Sequence, residues 1–126
     1  MRFEYFNGRE PVSNSYKNIP KSFDSDPILN QVSVSARYVY GMMLDRMKVS
    51  AKNNLVDEEG KTYIYYDWEE IAKATRFSKN TVYKLFDELD TVKGIGLIER
   101  VKMGQGRQSR IYVMRIVEAE QDKSLD

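Results

Sequence analysis

Residues 67–90, DWEEIAKATRFSKNTVYKLFDELD, decide the fold, because they predict two consecutive helices joined by a tight turn. Asp67 and Glu70 have the spacing of a capping box, which marks the start of the first helix. Ser78 is a good N-cap for the second helix. Apolar residues then recur at the spacing of one helix face and predict its buried side. These residues are Val82, Leu85, Phe86 and Leu89.

The polar positions of the second helix change in character along its axis. Acidic residues collect at its C-terminal end, at Asp87, Glu88 and Asp90. Its N-terminal end carries groups that donate hydrogen bonds or positive charge: Ser78, Lys79, Asn80, Thr81, Tyr83 and Lys84. A helix N-terminus also favours anions through its unpaired amides and its dipole, so this end of the helix is predicted to approach a polyanion.

Downstream of the helix pair, the sequence predicts a β-hairpin. The segments Leu97–Lys102 and Arg110–Met114 are rich in strand-forming residues, and the loop between them, residues 103–109, contains glycine and basic side chains. Glycine lets a backbone approach a phosphate closely, and arginine and lysine neutralise it. The contacts to a nucleic-acid backbone predicted for this wing and for the turn before the second helix are Arg76, Lys102, Gly104, Gln105, Gly106, Arg107, Gln108 and Arg110.

Upstream, residues 34–51 are predicted to form a longer helix. Ser33 or Ser35 can cap its start, and Asn53-Asn54 supplies a stop. Its apolar face is formed by Ala36, Val39, Tyr40, Met43, Leu44 and Met47. The β-rich segment 62–66 predicts a strand between this helix and the helix pair.

The remaining segments flank this domain. Three prolines within the first 30 residues predict an extended N-terminal arm over residues 1–33, with a short helical turn around Pro27–Gln31. Tyr16 and Ile19 are its candidate anchors to the core. A domain then spans residues 34–116, and the polar, acidic residues 117–126 are predicted to be a linker or tail. The predicted fold class is α+β, a winged helix-turn-helix with a small antiparallel sheet.

The composition narrows the range of functions. The net charge is only +1, but residues 24–70 carry a net −4, residues 76–115 a net +5 and residues 116–126 a net −3. This sorting places positive potential on one part of the molecule. The chain has neither cysteine nor histidine, which removes thiol nucleophiles, the commonest general base and the commonest transition-metal ligands. No enzymatic activity, metal or cofactor is therefore expected.

The chain has no apolar run of the roughly 20 residues that a membrane-spanning helix needs, and its N-terminus lacks the apolar segment of a signal peptide. A cytoplasmic protein without a membrane partner is therefore expected.

The order of the predicted elements is typical of DNA-binding winged helices, in which the second helix of the pair enters the major groove. There lysine donates to guanine, asparagine pairs with adenine, and the threonine methyl contacts that of thymine. Sequence-specific binding of double-stranded DNA is the predicted function. The residues do not distinguish an origin-binding initiator from a transcription repressor, and a winged helix used only for protein contact is a third possibility.

Several stretches of the chain also resemble the N-terminal domain of the RepA family of plasmid replication initiators from Gram-positive bacteria. They are Tyr16–Lys21, Ser35–Met47, Asp57–Tyr66, Glu69–Ile71, Phe77–Thr81, Gly96–Arg100, Gly104–Gly106 and Ile111–Val113. The resemblance implies binding to repeated origin sites, called iterons, by a homodimer or higher assembly. It also implies that host replication proteins are recruited through a C-terminal domain, which this sequence does not include.

Two groups of residues are candidates for a dimer interface. The first is the aromatic part of the N-terminal arm: Phe3, Tyr5 and Phe6. The second is the methionine-rich face of the long helix: Met42, Met43 and Met47. Aromatic and methionine side chains are common where one protein surface packs on another.

Overall fold

The computed structural model describes residues 2–8 and 17–117. Within them the helices and strands are α1 (Ser22–Ser25), a 3-10 turn (Leu29–Gln31), α2 (Val34–Lys52), α3 (Trp68–Thr75), α4 (Lys79–Leu89), β1 (Ile98–Val101) and β2 (Arg110–Val113). The predictions made for Tyr16 and for the acidic tail after Val117 concern residues outside this range.

The longest helix, α2, lies at the centre of the core. Its N-cap is Ser33, one of the two caps that the sequence predicted, and the Ser33 hydroxyl oxygen accepts a hydrogen bond from the backbone N–H of Ala36. Its inward face is fully buried at Ala36, Val39, Tyr40 and Met43. The Tyr40 hydroxyl donates to the carbonyl of Met114 over 2.6 Å, which ties α2 to the end of the hairpin. Burial of the Tyr40 ring raises the pKa of its hydroxyl to about 12.

Helices α3 and α4 form the predicted pair. The capping box is complete: the Asp67 side chain accepts from the backbone N–H of Glu70, and the Glu70 side chain accepts from that of Asp67. The turn begins at Arg76, whose backbone is left-handed with φ of 68°. Helix α4 starts after Ser78, and all four residues of its predicted apolar stripe are buried.

The sheet is smaller than the sequence predicted. Strands β1 and β2 pair antiparallel, from Ile98 opposite Val113 to Val101 opposite Arg110. The strand predicted at 62–66 is wrong as a continuous element, because this segment makes only isolated bridges, one of them between Ile64 and Ile111. Tyr63 and Ile64 are consecutive and both buried, so the segment does not alternate between an inner and an outer face as a strand does.

Part of the predicted arm belongs to the domain. Phe23 on the unpredicted helix α1 is 1% exposed and packs edge-on against Tyr40, and Val32 is 4% exposed. The 3-10 turn confirms the helical turn predicted around Pro27–Gln31. Ile19 lies against α2 at Gly41, where an added Cβ would come within 3.0 Å of the Ile19 side chain.

The methionine-rich dimer interface predicted on α2 is corrected by the packing. Met42 is 3% exposed and Met43 is not exposed at all, and Met47 is partly buried against the same core. Helix α2 is covered on more than one side, so these methionines fill the domain's own interior. The elements together form the predicted α+β winged helix.

Candidate nucleic-acid interface

The N-terminal end of α4 combines a strong cap with free polar side chains. The Ser78 oxygen accepts from the backbone N–H of Thr81 over 3.1 Å, and its hydroxyl donates to the Thr81 hydroxyl over 3.0 Å. Ser78 is thus a helix cap, and its hydroxyl hydrogen is committed within the cap. Thr81 keeps its own hydroxyl hydrogen and its methyl group.

Four other residues predicted to contact DNA are exposed on α4: Lys79, Asn80, Tyr83 and Lys84. Tyr83 is 42% exposed, and its ring packs edge-on against Phe86. The Lys79 ammonium lies 5.2 Å from the centre of the Trp68 ring, in the first turn of α3. This cation–π contact holds Lys79 toward the start of α3. Trp68 was not among the residues predicted to form the site, although it is the only tryptophan in the chain.

A groove of about 760 Å³ separates α4 from the hairpin. Helix α4 contributes Tyr83, Phe86 and Asp87 to its walls, and the hairpin contributes Arg100, Lys102, Gln108 and Ser109. The segment 66–68, which leads into α3, forms a third wall. The groove is therefore bounded by α4 and by the wing, the two elements that the sequence predicted to contact DNA.

The wing and the start of α4 both contact the start of α3. The Gln108 amide donates to the Asp67 carboxylate over 2.6 Å, and Lys79 lies over the neighbouring Trp68 ring. Gln108 of the wing and Lys79 of α4, which are distant in sequence, thus lie on one side of the domain. A surface that binds a duplex with both helix and wing requires this arrangement.

The hairpin has a second face, which carries other basic residues. Arg107 and Arg110 line a hollow of about 580 Å³ together with the acidic turn Asp57–Glu59. The Arg110 guanidinium lies 4.2 Å from the centre of the Tyr63 ring. Since successive side chains of a strand point to opposite faces, Arg110 is directed away from the groove that Lys102 lines. The predicted wing contacts are therefore divided between two faces.

The acidic turn on that second face is held together by hydrogen bonds to Asp57. The Asp57 carboxylate accepts hydrogen bonds from the backbone N–H groups of Lys61 and Glu59, both over 2.9 Å. It also accepts a side-chain hydrogen bond from the Tyr112 hydroxyl over 3.0 Å. These hydrogen bonds, with that of Lys61 the strongest, lower the pKa of Asp57. Asp57 therefore stays ionised beside the wing arginines.

The tip of the wing is open. Gly104 has φ of 107° and Gly106 has φ of 72°, values that favour glycine over residues with a Cβ. Gln105 lies exposed between them. Arg76 is also exposed, in the turn before α4.

The carboxylates at the end of α4 are engaged by other elements. Glu88 accepts from the backbone N–H and the hydroxyl of Ser33, over 2.6 and 2.8 Å. Arg100 on β1 donates to Asp87 over 2.8 Å and to Asp90 over 3.0 Å. The hydrogen bond from Arg100 lowers the pKa of Asp87. Burial opposes ionisation of Asp90, but hydrogen bonds from Arg100 and from the Val92 amide outweigh it and lower the pKa of Asp90.

The described residues contain neither a metal site of grouped acidic side chains nor a membrane-spanning helix. Across residues 2–8 and 17–117, no three or more acidic side chains are grouped so that they could hold a metal ion. No helix in that part of the chain has the length and apolar character needed to cross a membrane.

The fold and this surface define a winged helix-turn-helix domain whose helix and wing face a common groove. The chain belongs to the family of the replication initiator protein A (RepA) N-terminus, whose model matches residues 15–125. The resemblance predicted from the sequence is thereby confirmed. No curated protein matches the chain significantly.

Solved structures show the same fold. One, described as the N-terminal domain of a DNA-binding protein, has a TM-score of 0.74 at 24% identity, covering 98% of this chain and 92% of the other. A Rep–DNA complex has a TM-score of 0.74 at 24% identity, covering 97% and 92%. An MDR initiator has a TM-score of 0.69 at 23% identity, covering 98% and 99%.

Proposed function

We propose that this domain binds double-stranded DNA sequence-specifically, at repeated origin sites of a plasmid, as the N-terminal part of a replication initiator. The observation that carries the proposal is the shared position of Lys79 and Gln108 against the first turn of α3. Family membership and the likeness to a Rep–DNA complex support it. The proposal assigns no catalytic step, metal or cofactor to the domain.

Helix α4 enters the major groove, which is about 12 Å wide and exposes a distinct pattern of donors and acceptors for each base pair. Asn80 is best suited to pair with adenine, because its amide offers a donor and an acceptor side by side. Lys84 donates to guanine or to phosphate, and Tyr83 contacts the sugar–phosphate backbone from the groove wall. Lys79, held near Trp68, donates to a phosphate beside the start of α3.

The wing supplies contacts that position the duplex without reading its sequence. Lys102 and Gln108 line the groove and meet the backbone of the strand nearest α4. The open glycines of the tip allow the backbone of the wing to approach the minor groove. Arg107, next to Gln108 but on the second face, adds a contact at the edge of the site.

The partners expected beyond DNA belong to the same proposal. A second copy of the chain binds through the arm, where Phe3 and Tyr5 are each 95% exposed and Phe6 is 66% exposed. Host replication proteins bind a C-terminal domain of the whole initiator, which acts in the bacterial cytoplasm.

The first test is selection of bound duplexes from a random pool, with the natural domain and with Asn80→Ala. Recurrence of the selected sequence as direct repeats is expected for an initiator, whereas a single palindrome would favour a repressor. Asn80→Ala should lose about 1 to 3 kcal/mol of discrimination at one base pair, because a bidentate contact is removed. The matched control is Lys102→Ala, which should weaken binding to all duplex sequences equally. The absence of duplex binding at physiological salt would leave only the protein-contact role.

A further inference from the structure

One side chain of the hairpin joins the wing to the end of α4. Arg100 Nε donates to Asp90 over 3.0 Å, and its Nη2 donates to Asp87 over 2.8 Å. The Arg100 side chain is only 26% exposed and that of Asp90 only 6% exposed. The guanidinium thus spans two carboxylates one helical turn apart, with a planar geometry that a lysine ammonium cannot reproduce.

Other contacts fix two of these residues, Arg100 and Asp90. The Arg100 guanidinium lies 5.8 Å from the centre of the Phe86 ring on α4. The second oxygen of Asp90 accepts from the backbone N–H of Val92 over 3.0 Å. Both carboxylates have lowered pKa values and remain charged partners of Arg100 at neutral pH. These groups form a clamp, consisting of Arg100, Asp87 and Asp90, that lines the groove between α4 and the hairpin.

The clamp lies next to the exposed part of the wing. Lys102 follows Arg100 by two residues and so lies on the same face of the hairpin. Ile98 and Ile111 are buried in the core, whereas residues 104–109 are exposed. A two-stranded hairpin with four-residue strands is marginally stable by itself. Arg100 is therefore the last strongly anchored side chain of β1 before the tip.

We propose that Arg100 is a positioning residue, which holds the wing at a set angle to α4 so that Lys102 and the start of α4 meet one duplex together. The proposal rests on the proposed function, since it assigns Arg100 no DNA contact of its own. It also assigns a structural role to the acidic residues at the C-terminal end of α4. Asp87 and Asp90 are the points on α4 to which the wing is fastened.

The test is a double-mutant cycle read as the salt dependence of duplex binding. Lys102→Ala is made in the natural domain and in Arg100→Lys, which keeps the positive charge but loses the planar fork. In the natural domain Lys102→Ala should reduce the salt slope by about one, because one phosphate contact is lost. In Arg100→Lys the same change should have less than about half that effect, since the wing is no longer held in place.

Lys84→Ala is the matched control, because Lys84 lies on α4 and does not depend on the wing. Its effect on the salt slope should be equal in both backgrounds. Thermal unfolding verifies that Arg100→Lys is folded. If Arg100→Lys does not fold, Asp87→Asn replaces it as the background, because this variant keeps the buried contact between Arg100 and Asp90. An equal effect of Lys102→Ala in both backgrounds would overturn the role of Arg100. If neither lysine change affected the natural domain, the DNA-binding surface itself would be wrong.

Discussion

Arg76 lies in the turn between α3 and α4 with φ of 68° and ψ of 16°. Its N–H donates to the carbonyl of Ala72 over 2.7 Å, so it ends α3 in the position where glycine is most often found. A residue with a Cβ costs roughly 1 kcal/mol or more in this conformation. We therefore expect the exposed Arg76 side chain to have a role in binding, as a contact to a phosphate beside α4.

Arg76→Gly should therefore separate stability from binding. The free energy of unfolding should rise by about 0.5 to 1 kcal/mol, because the strain of the left-handed backbone is relieved. The greater conformational freedom of glycine in the unfolded chain offsets part of this gain. The salt slope of duplex binding should fall by about one. Thermal unfolding and titrations at several salt concentrations measure the two effects. A variant that is more stable and binds equally well would show that Arg76 only ends the helix.

At the scale of elements, the turn after α4 determines how the helix is joined to β1. The N–H of Gly94 donates to the carbonyl of Asp90 over 2.9 Å, and that of Ile95 donates to the carbonyl of Glu88 over 2.9 Å. The turn thus folds back over the last turn of α4. A Cβ on Gly94 would overlap the backbone carbonyl of Glu88, which cannot move without disturbing the helix end.

Gly94→Ala should consequently be strongly destabilising. A loss of about 3 kcal/mol or more is expected, at the upper end of overpacking effects, because a backbone group is obstructed. Chemical denaturation measures the loss. Val92→Ala is the control from the same turn, and because Val92 is 86% exposed it should change stability by no more than about 0.5 kcal/mol. Equal stability of the two variants would mean that the turn rearranges freely.

At the scale of the whole molecule, carboxylates link the elements to one another. Glu70 on α3 accepts from Arg46 on α2 over 2.9 Å, and Arg46 also donates to the carbonyl of Tyr65. The hydrogen bond from Arg46 lowers the pKa of Glu70. Asp87 and Asp90 are linked to β1 in the same way. These ion pairs between elements are complete only while the carboxylates stay ionised.

These lowered pKa values predict the pH dependence of stability. A carboxyl group whose pKa is lower in the folded state contributes stability above its unfolded pKa, and the contribution is lost as the pH falls through the folded value. Stability should therefore be nearly constant between about pH 6 and 8, since the chain has no histidine, and should decline below about pH 5.

Melting temperatures measured across this range test the expectation. Asp87→Asn should show a smaller decline between about pH 5 and 3 than the natural domain, because one of the linking carboxylates is gone. A natural domain that lost stability already between about pH 7 and 5 would contradict the assignment to carboxylates of lowered pKa.

The three longer helices, α2, α3 and α4, were predictable from the sequence because the interactions that begin and end them are local. Ser33 and Ser78 each bond to an amide three residues away, and Asp67 and Glu70 cap each other. The apolar stripe of α4 likewise repeats within one helix. Such contacts form between neighbours in the chain, so spacing alone identifies them.

The geometry of the candidate site was decided only by the tertiary structure. Gln108 meets Asp67 across 41 positions, and nothing near either residue in the chain indicates this contact. Alternation along β2 predicts that Ile111 faces inward and Arg110 outward, but only the tertiary structure shows that Arg110 then lies over Tyr63, on the face opposite the groove. The burial of Met42 likewise depends on elements that are distant in sequence. Local hydrogen bonds determine where a helix starts, whereas the surface that a side chain finally meets depends on how all the elements exclude water together.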